Sequence, residues 1–247
     1  MNQALQRKRV LVTGGSRGIG AAIVKRLAQE GADVAFTYHS REEDAEKTAK
    51  LVEAAGRKAV AIRADSADPQ AVIGAVQHTV QELGGIDILI NNAGIGTFAP
   101  VDSVSLSELD RIWAINVRAV FLASQEAIKH MPSGGRIINI SSCNAERMPF
   151  AGGSIYAMSK SALTGLVKGL SRDLGPRGIT INNIQPGPVA TEMNPEDGEF
   201  SDLMKSATAV SRYSMPEEIA AFAAYLAGPE TGFITGASLT IDGGLSA

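Results

Sequence analysis

Residues 8–20, Lys-Arg-Val-Leu-Val-Thr-Gly-Gly-Ser-Arg-Gly-Ile-Gly, restrict the possible folds more than any other stretch of the 247. Residues 8–13 read as a short buried strand. Beyond the glycines, Ala21, Ile23, Val24, Leu27 and Ala28 recur at helical spacing until Gly31. Between strand and helix lies Gly-x-x-x-Gly-x-Gly, at Gly14, Gly18 and Gly20. A glycine turn in that position points backbone amides and a helix N-terminus at one place, which is how a pyrophosphate is held. Gly14, Ser16, Arg17, Gly18, Ile19 and Gly20 are therefore expected along the phosphates of a dinucleotide.

The rest of the chain repeats the strand–helix alternation. Strands are expected at 33–38, 58–63, 85–91, 136–141, 179–184 and 238–241. Helices are expected at 42–55, 69–83, about 105–131, from about 155 to Gly175-Pro176, and at 216–227. Asp68-Pro69 is a helix start, with aspartate as N-cap and proline at N1. Alternation of this kind predicts a Rossmann-type doubly wound parallel α/β sheet, with helices on both faces and a ligand at the carboxyl edge. Neither a linker nor a repeat interrupts it, so one domain is expected over 1–247. Residues 188–214 are rich in Pro, Asp, Glu, Ser and Met with weak periodicity, as in a binding loop.

The formal net charge of −3 gives no reason to expect affinity for a nucleic-acid polymer or an anionic membrane. The apolar run after the polar, basic N-terminus breaks at Gly14-Gly15, too early for a signal peptide or a membrane span. Cys143 is the single cysteine, which excludes an internal disulfide and fits a reducing cytoplasm. Next to Ser142 it invites a nucleophile reading, but His39, His78 and His130 are all distant in sequence. A bystander thiol and no metal centre are expected.

The second strand runs into Tyr38-His39-Ser40-Arg41. An NAD enzyme usually has a carboxylate there for the ribose 2′-hydroxyl. Two guanidiniums, Arg17 and Arg41, with a hydroxyl suit a 2′-phosphate instead, so NADP(H) is the expected cofactor. Asp65 and Ser66, closing the third strand, are expected beside the adenine. Further on, Tyr156 and Lys160 are i and i+4 on a helix, so an ammonium lies beside a phenol. An opposite charge should lower the phenol from its ordinary pKa of ~10 and make Tyr156 a usable acid or base. Ser142 ends an apolar strand where a substrate oxygen could be held. Asn116, in mid-helix, is disfavoured there unless it has a specific polar task. Trp113 is expected in core or interface packing.

Taken together these residues resemble the short-chain dehydrogenase/reductase family. The matching positions run in order from residues 13–20 through Asp65, Asn91-Asn92-Ala93-Gly94, Asn116, Ser142, Tyr156 and Lys160 to Pro186-Gly187, Thr191 and residues 241–244. The resemblance implies seven strands in the order 3-2-1-4-5-6-7. It also implies hydride transfer between nicotinamide and a carbonyl or alcohol carbon, with Tyr156 protonating the alkoxide and Ser142 bonding the same oxygen. Lys160 would lower the Tyr156 pKa and hold the nicotinamide ribose. Asn116 would position a relay water; Asn92, Ala93 and Gly94 would border the cofactor; Pro186, Gly187, Val189 and Thr191 would fix its carboxamide end. Members often have thirteen positions between Ser and Tyr. Here Ser142 lies fourteen before Tyr156, with Cys143 at thirteen, and an extra loop residue after Ser142 is expected.

Three readings stay open: an NADPH-dependent carbonyl reductase, a cyclic-di-GMP-binding protein promoting biofilm dispersal, and a 3-oxoacyl carrier-protein reductase. The second comes from a branch of the family resembled by residues 143–153, 185–195 and 226–230. The third is weakened by the uncharged turn Ser133-Gly134-Gly135, where a grip on an acidic carrier would be basic. Relatives imply a homotetramer through the two long helices.

Overall fold

The structure is a computed structural model that describes residues 3–198 and 200–247. Met1, Asn2 and Glu199, the last inside the expected 188–214 loop, lie outside the described residues. Strands β1 (Arg9–Val12), β2 (Asp33–Tyr38), β3 (Ala59–Arg63), β4 (Ile88–Asn91), β5 (Arg136–Ile140), β6 (Thr180–Pro186) and β7 (Ser238–Ile241) form one seven-stranded sheet. The order is 3-2-1-4-5-6-7 and every pairing is parallel, as expected.

Helices cover both faces, so the central strands are buried on both sides rather than alternating between core and solvent. Val10, Val12, Ile88, Ile90 and Ile138 face one core layer with Ile23, Leu27 and Ile219; Leu11, Leu89, Ile137 and Ile181 face the other with Val76, Ala123 and Val167. The first layer lies under α1 (Gly18–Gln29) and α8 (Pro216–Ala227). The second lies under α3 (Pro69–Leu83), α5 (Ala119–Ala127) and α6 (Ser154–Leu174). A helix α2 (Glu42–Ala54) packs beside α1.

A row of buried amides crosses the second half of the sheet. Asn91, Asn139, Asn183 and Ser238 are register partners on β4, β5, β6 and β7. Asn91 Nδ2 donates to Asn139 Oδ1 (2.9 Å), Asn139 Nδ2 to Asn183 Oδ1 (3.0 Å), and Asn183 Nδ2 to Ser238 Oγ (3.0 Å). The row lies just before the sheet's carboxyl edge and ties four strands to one register.

Two expectations need correction. The single helix over 105–131 is two: α4 (Leu106–Trp113) and α5, joined by a π-type turn over Ala114–Arg118 in which Ala119 N–H donates to Ala114 O. The cause is Asn116, buried in that turn, whose amide serves another segment of backbone. Trp113, at the end of α4, is 42% exposed and so takes no part in the core. Second, the 188–214 segment holds a short helix α7 (Ser201–Ala207). Its neck is closed by an isolated parallel bridge, with Ala190 N–H donating to Ser214 O and Ser214 N–H to Pro188 O, both at 2.9 Å. Arg212 and Glu218 form a two-pronged ion pair (2.7 and 2.8 Å) that anchors the far end to α8 and holds the Glu218 carboxyl down at about 2. Among the described residues, no helix is long and apolar enough to cross a membrane.

Candidate active site

The carboxyl ends of β1, β4, β5 and β6 open onto a cleft of about 440 Å³. The glycine turn forms its floor. Gly14 and Gly18 have φ of +66° and +52°, which a side chain would strain, and a Cβ on Gly20 would overlap the Gly14 carbonyl. Thr13 and Asn92 brace this turn. Asn92 and Ala93 N–H donate to Thr13 Oγ1 (3.0 Å each), and Asn92 Nδ2 donates to Thr13 O and Gly14 O (3.0 and 2.9 Å). Gly14 N–H donates to Thr37 Oγ1 at 2.9 Å. The turn is thus fixed from β2 and β4 as well as by its own glycines.

At one end of the cleft Arg17 and Arg41 converge, and the carboxylate of Glu192 lies between them at 2.9 and 2.8 Å. His39 and Asp65 stand 3.7 Å apart on the same side. At the other end Ser142, at the close of β5, meets Tyr156 and Lys160 on α6. Ser142 Oγ accepts from Asn144 N–H at 3.2 Å, which starts the 3₁₀ turn Cys143–Ala145. Cys143 is buried and does not line the cleft, and burial pushes its thiol up to about 11. Ser142 lines the cleft two residues beyond the end of β5.

Lys160 is buried; its Nζ donates to Ile140 O at 2.9 Å, and burial lowers it to about 8. Tyr156 departs from expectation. Burial pushes its phenol above the usual tyrosine range, the adjacent Ser142 hydroxyl pulls it part way back, and Lys160 produces no lowering. The ammonium lies 5.8 Å from the ring centroid with its proton given to Ile140. Helical spacing placed the two groups together, but desolvation outweighs that proximity.

All the expected cofactor residues, Gly14 to Thr191, line the cleft. Asn116 does not. Its Oδ1 accepts from Ile95 N–H (2.9 Å), and its Nδ2 donates to Ile95 O (2.9 Å) and Ser159 Oγ (3.0 Å). It holds the loop after Gly94 against α6 from behind. Sequence reading missed Thr37, Arg111, Glu192 and Met193 among the residues that line the cleft. It also missed an aromatic wall: Phe98 lies 5.4 Å from Tyr156 and 5.9 Å from Phe150, ring centre to ring centre, and is 55% exposed. For Thr37 a usable signal existed, a hydroxyl near the end of the strand that follows the glycine turn and its helix.

Residues 14–246 match a family model described as enoyl-(acyl carrier protein) reductase. The chain is 49% identical over 240 residues to the cyclic-di-GMP-binding biofilm dispersal mediator protein of Escherichia coli K12, covering 97% of this chain and 98% of that one. A short-chain dehydrogenase/reductase from Serratia marcescens BCRC 10948 superposes with a TM-score of 0.97 at 61% identity, over 98% and 99% of the two chains. A short-chain dehydrogenase from Burkholderia cenocepacia J2315, solved in complex with NADP, gives 0.97 at 53% identity over the same shares.

Proposed function

The chain belongs to the short-chain dehydrogenase/reductase family of oxidoreductases, and from that premise we propose that it is an NADPH-dependent ketone reductase. The observation that carries this reading is the convergence of Ser142, Tyr156 and Lys160 on one end of a cleft whose other end holds Arg17 and Arg41. The glycine floor, where a Cβ would collide, leaves room for phosphates against bare backbone, and the two guanidiniums match a ribose 2′-phosphate. The residues therefore fit NADP(H), which the Burkholderia cenocepacia relative binds. When bound, NADPH supplies the hydride that reduces the carbonyl carbon.

The chain's own residues handle the oxygen. Ser142 and Tyr156 hold it by hydrogen bonds, and Tyr156 gives it a proton as alkoxide character grows. A phenol raised by burial is fully protonated at neutral pH, so it is ready as an acid in the reductive direction. Lys160, still charged at neutral pH, keeps a positive charge 5.8 Å from the Tyr156 ring. Asn116 acts as a positioning residue, through Ile95 and Ser159. The Phe98–Phe150 wall over Tyr156 favours ketones with an aryl or bulky apolar arm.

A pH profile follows. Reductive turnover should hold at neutral pH and fall above about 8, as Lys160 loses its charge. Alcohol oxidation needs the phenolate and should rise into the alkaline range. Rates in both directions across pH check this; a reductive rate that is flat past pH 9, on the order of one unit above Lys160, would exclude Lys160 as the titrating group.

The test of the function is NADPH and NADH consumption, run side by side over activated ketones and α-keto esters. Turnover preferring NADPH is expected; no turnover on any ketone would overturn the reading. The likeness to the Escherichia coli mediator favours a second reading, capture of cyclic-di-GMP. That ligand should then raise the melting temperature by binding the folded state. We place the protein in the cytoplasm, where Cys143 stays reduced, as a homotetramer. Trp113 and Phe121, each more than two-fifths exposed on the α4–α5 stretch, support assembly, and light scattering would measure it.

A further inference from the structure

Glu192 is the one carboxylate that reaches Arg17 and Arg41 together among the described residues. It rides on a tight turn in which Thr191 and Asn194 exchange backbone hydrogen bonds at 3.0 and 3.3 Å, directly above the bridged neck of the 188–214 segment. A single oxygen, Oε2, takes Nη1 of Arg17 at 2.9 Å and Nη1 of Arg41 at 2.8 Å. Arg17 comes from the glycine turn and Arg41 from the start of α2, so this carboxylate closes a bridge over the ribose end of the cleft.

An oxygen anion shared by two guanidiniums occupies the place a phosphate oxygen would take there. A carboxylate and a phosphate dianion cannot share it, because like charges within a few ångströms repel. We propose that Glu192 is an internal stand-in for the cofactor's 2′-phosphate, which competes with it for Arg17 and Arg41 and is displaced when NADPH enters. This rests on the reading above that the two arginines receive that phosphate. Displacement detaches the 191–194 turn from α1 and α2, so the segment beyond it learns of the 2′-phosphate directly. A nucleotide without that phosphate leaves the bridge intact. Glu192 therefore trims affinity for NADPH without touching affinity for NADH.

The test is calorimetric binding of adenosine 2′,5′-bisphosphate, 5′-ADP and NADPH to the full chain and to Glu192→Gln and Arg41→Ala. All three side chains are roughly half exposed, so the competition is modest. Glu192→Gln should bind the bisphosphate and NADPH about threefold to tenfold more tightly, with 5′-ADP unchanged. Arg41→Ala should lose the preference for the 2′-phosphate. If Glu192→Gln binds the bisphosphate equally or more weakly while the arginine-dependent preference persists, Glu192 is not a competitor and only this proposal falls. If the unaltered chain binds bisphosphate and 5′-ADP alike, the arginines do not hold a 2′-phosphate, and the underlying reading falls with it.

Discussion

Tyr156→Phe is expected to bind NADPH within about twofold of the parent protein while kcat for ketone reduction drops by roughly 10²–10⁴-fold, the usual worth of a positioned acid. The substitution keeps the ring, and with it the packing against Phe98 at 5.4 Å. Lys160 loses no partner, since its Nζ bonds to Ile140 O rather than to the phenol. Asn116 and Ser159 are also untouched, because Ser159 Oγ donates to the backbone carbonyl of residue 156 and not to its side chain. What disappears is one hydroxyl, and with it the proton for the substrate oxygen. Steady-state reduction and a fluorescence titration of NADPH separate the two effects. Parent-like turnover would remove Tyr156 from the mechanism, and a large loss of NADPH affinity would assign it to binding instead.

Asn139→Leu is expected to give the largest loss of stability. Asn139 is fully buried between Asn91 and Asn183. Leucine has similar bulk, so the volume changes little, but one donor and one acceptor vanish from the middle of the row. Asn183 Oδ1 then loses the Asn139 donor, while Asn91 Nδ2 retains only Ser124 Oγ at 3.2 Å. Each orphaned buried polar group costs about 1–3 kcal/mol, so a total of roughly 2–6 kcal/mol is expected. For a chain of this size that lowers Tm by about 5–15 °C. Thermal unfolding monitored by circular dichroism measures it. A Tm unchanged within about 2 °C would mean that the register rests on the apolar layers alone.

Much of this site was legible because its chemistry is local. A glycine turn, an Asn-Asn-Ala-Gly loop and a tyrosine four residues before a lysine each announce themselves within a few positions. The strand pattern was equally legible, since buried parallel strands are short apolar runs, although β5 ends at Ile140, two residues before Ser142. What escaped was non-local. Nothing near Glu192 shows that it will meet Arg17, 175 residues away. The direction of the Tyr156 pKa depends on how deeply the fold buries it, which helical spacing does not encode. Helix α7 went unread because seven residues with scattered apolar positions fall below any periodic signal. The break at 114–118 was half legible: Asn116 stood out, but its partner, the backbone of Ile95, lies outside the helix.

That break also determines how the protein tolerates changes of length. Adding or deleting a residue in an ordinary α-helix rotates everything beyond it by about 100° and turns an apolar stripe toward water. The i→i+5 turn at 114–118 absorbs one residue as a local widening, with Ile112 before it and Val120 and Ala123 after it all buried. The stretch from 106 to 127 therefore behaves as two independently cut pieces with a slack joint. A residue inserted or removed at that joint is expected to leave the buried faces on either side where they are.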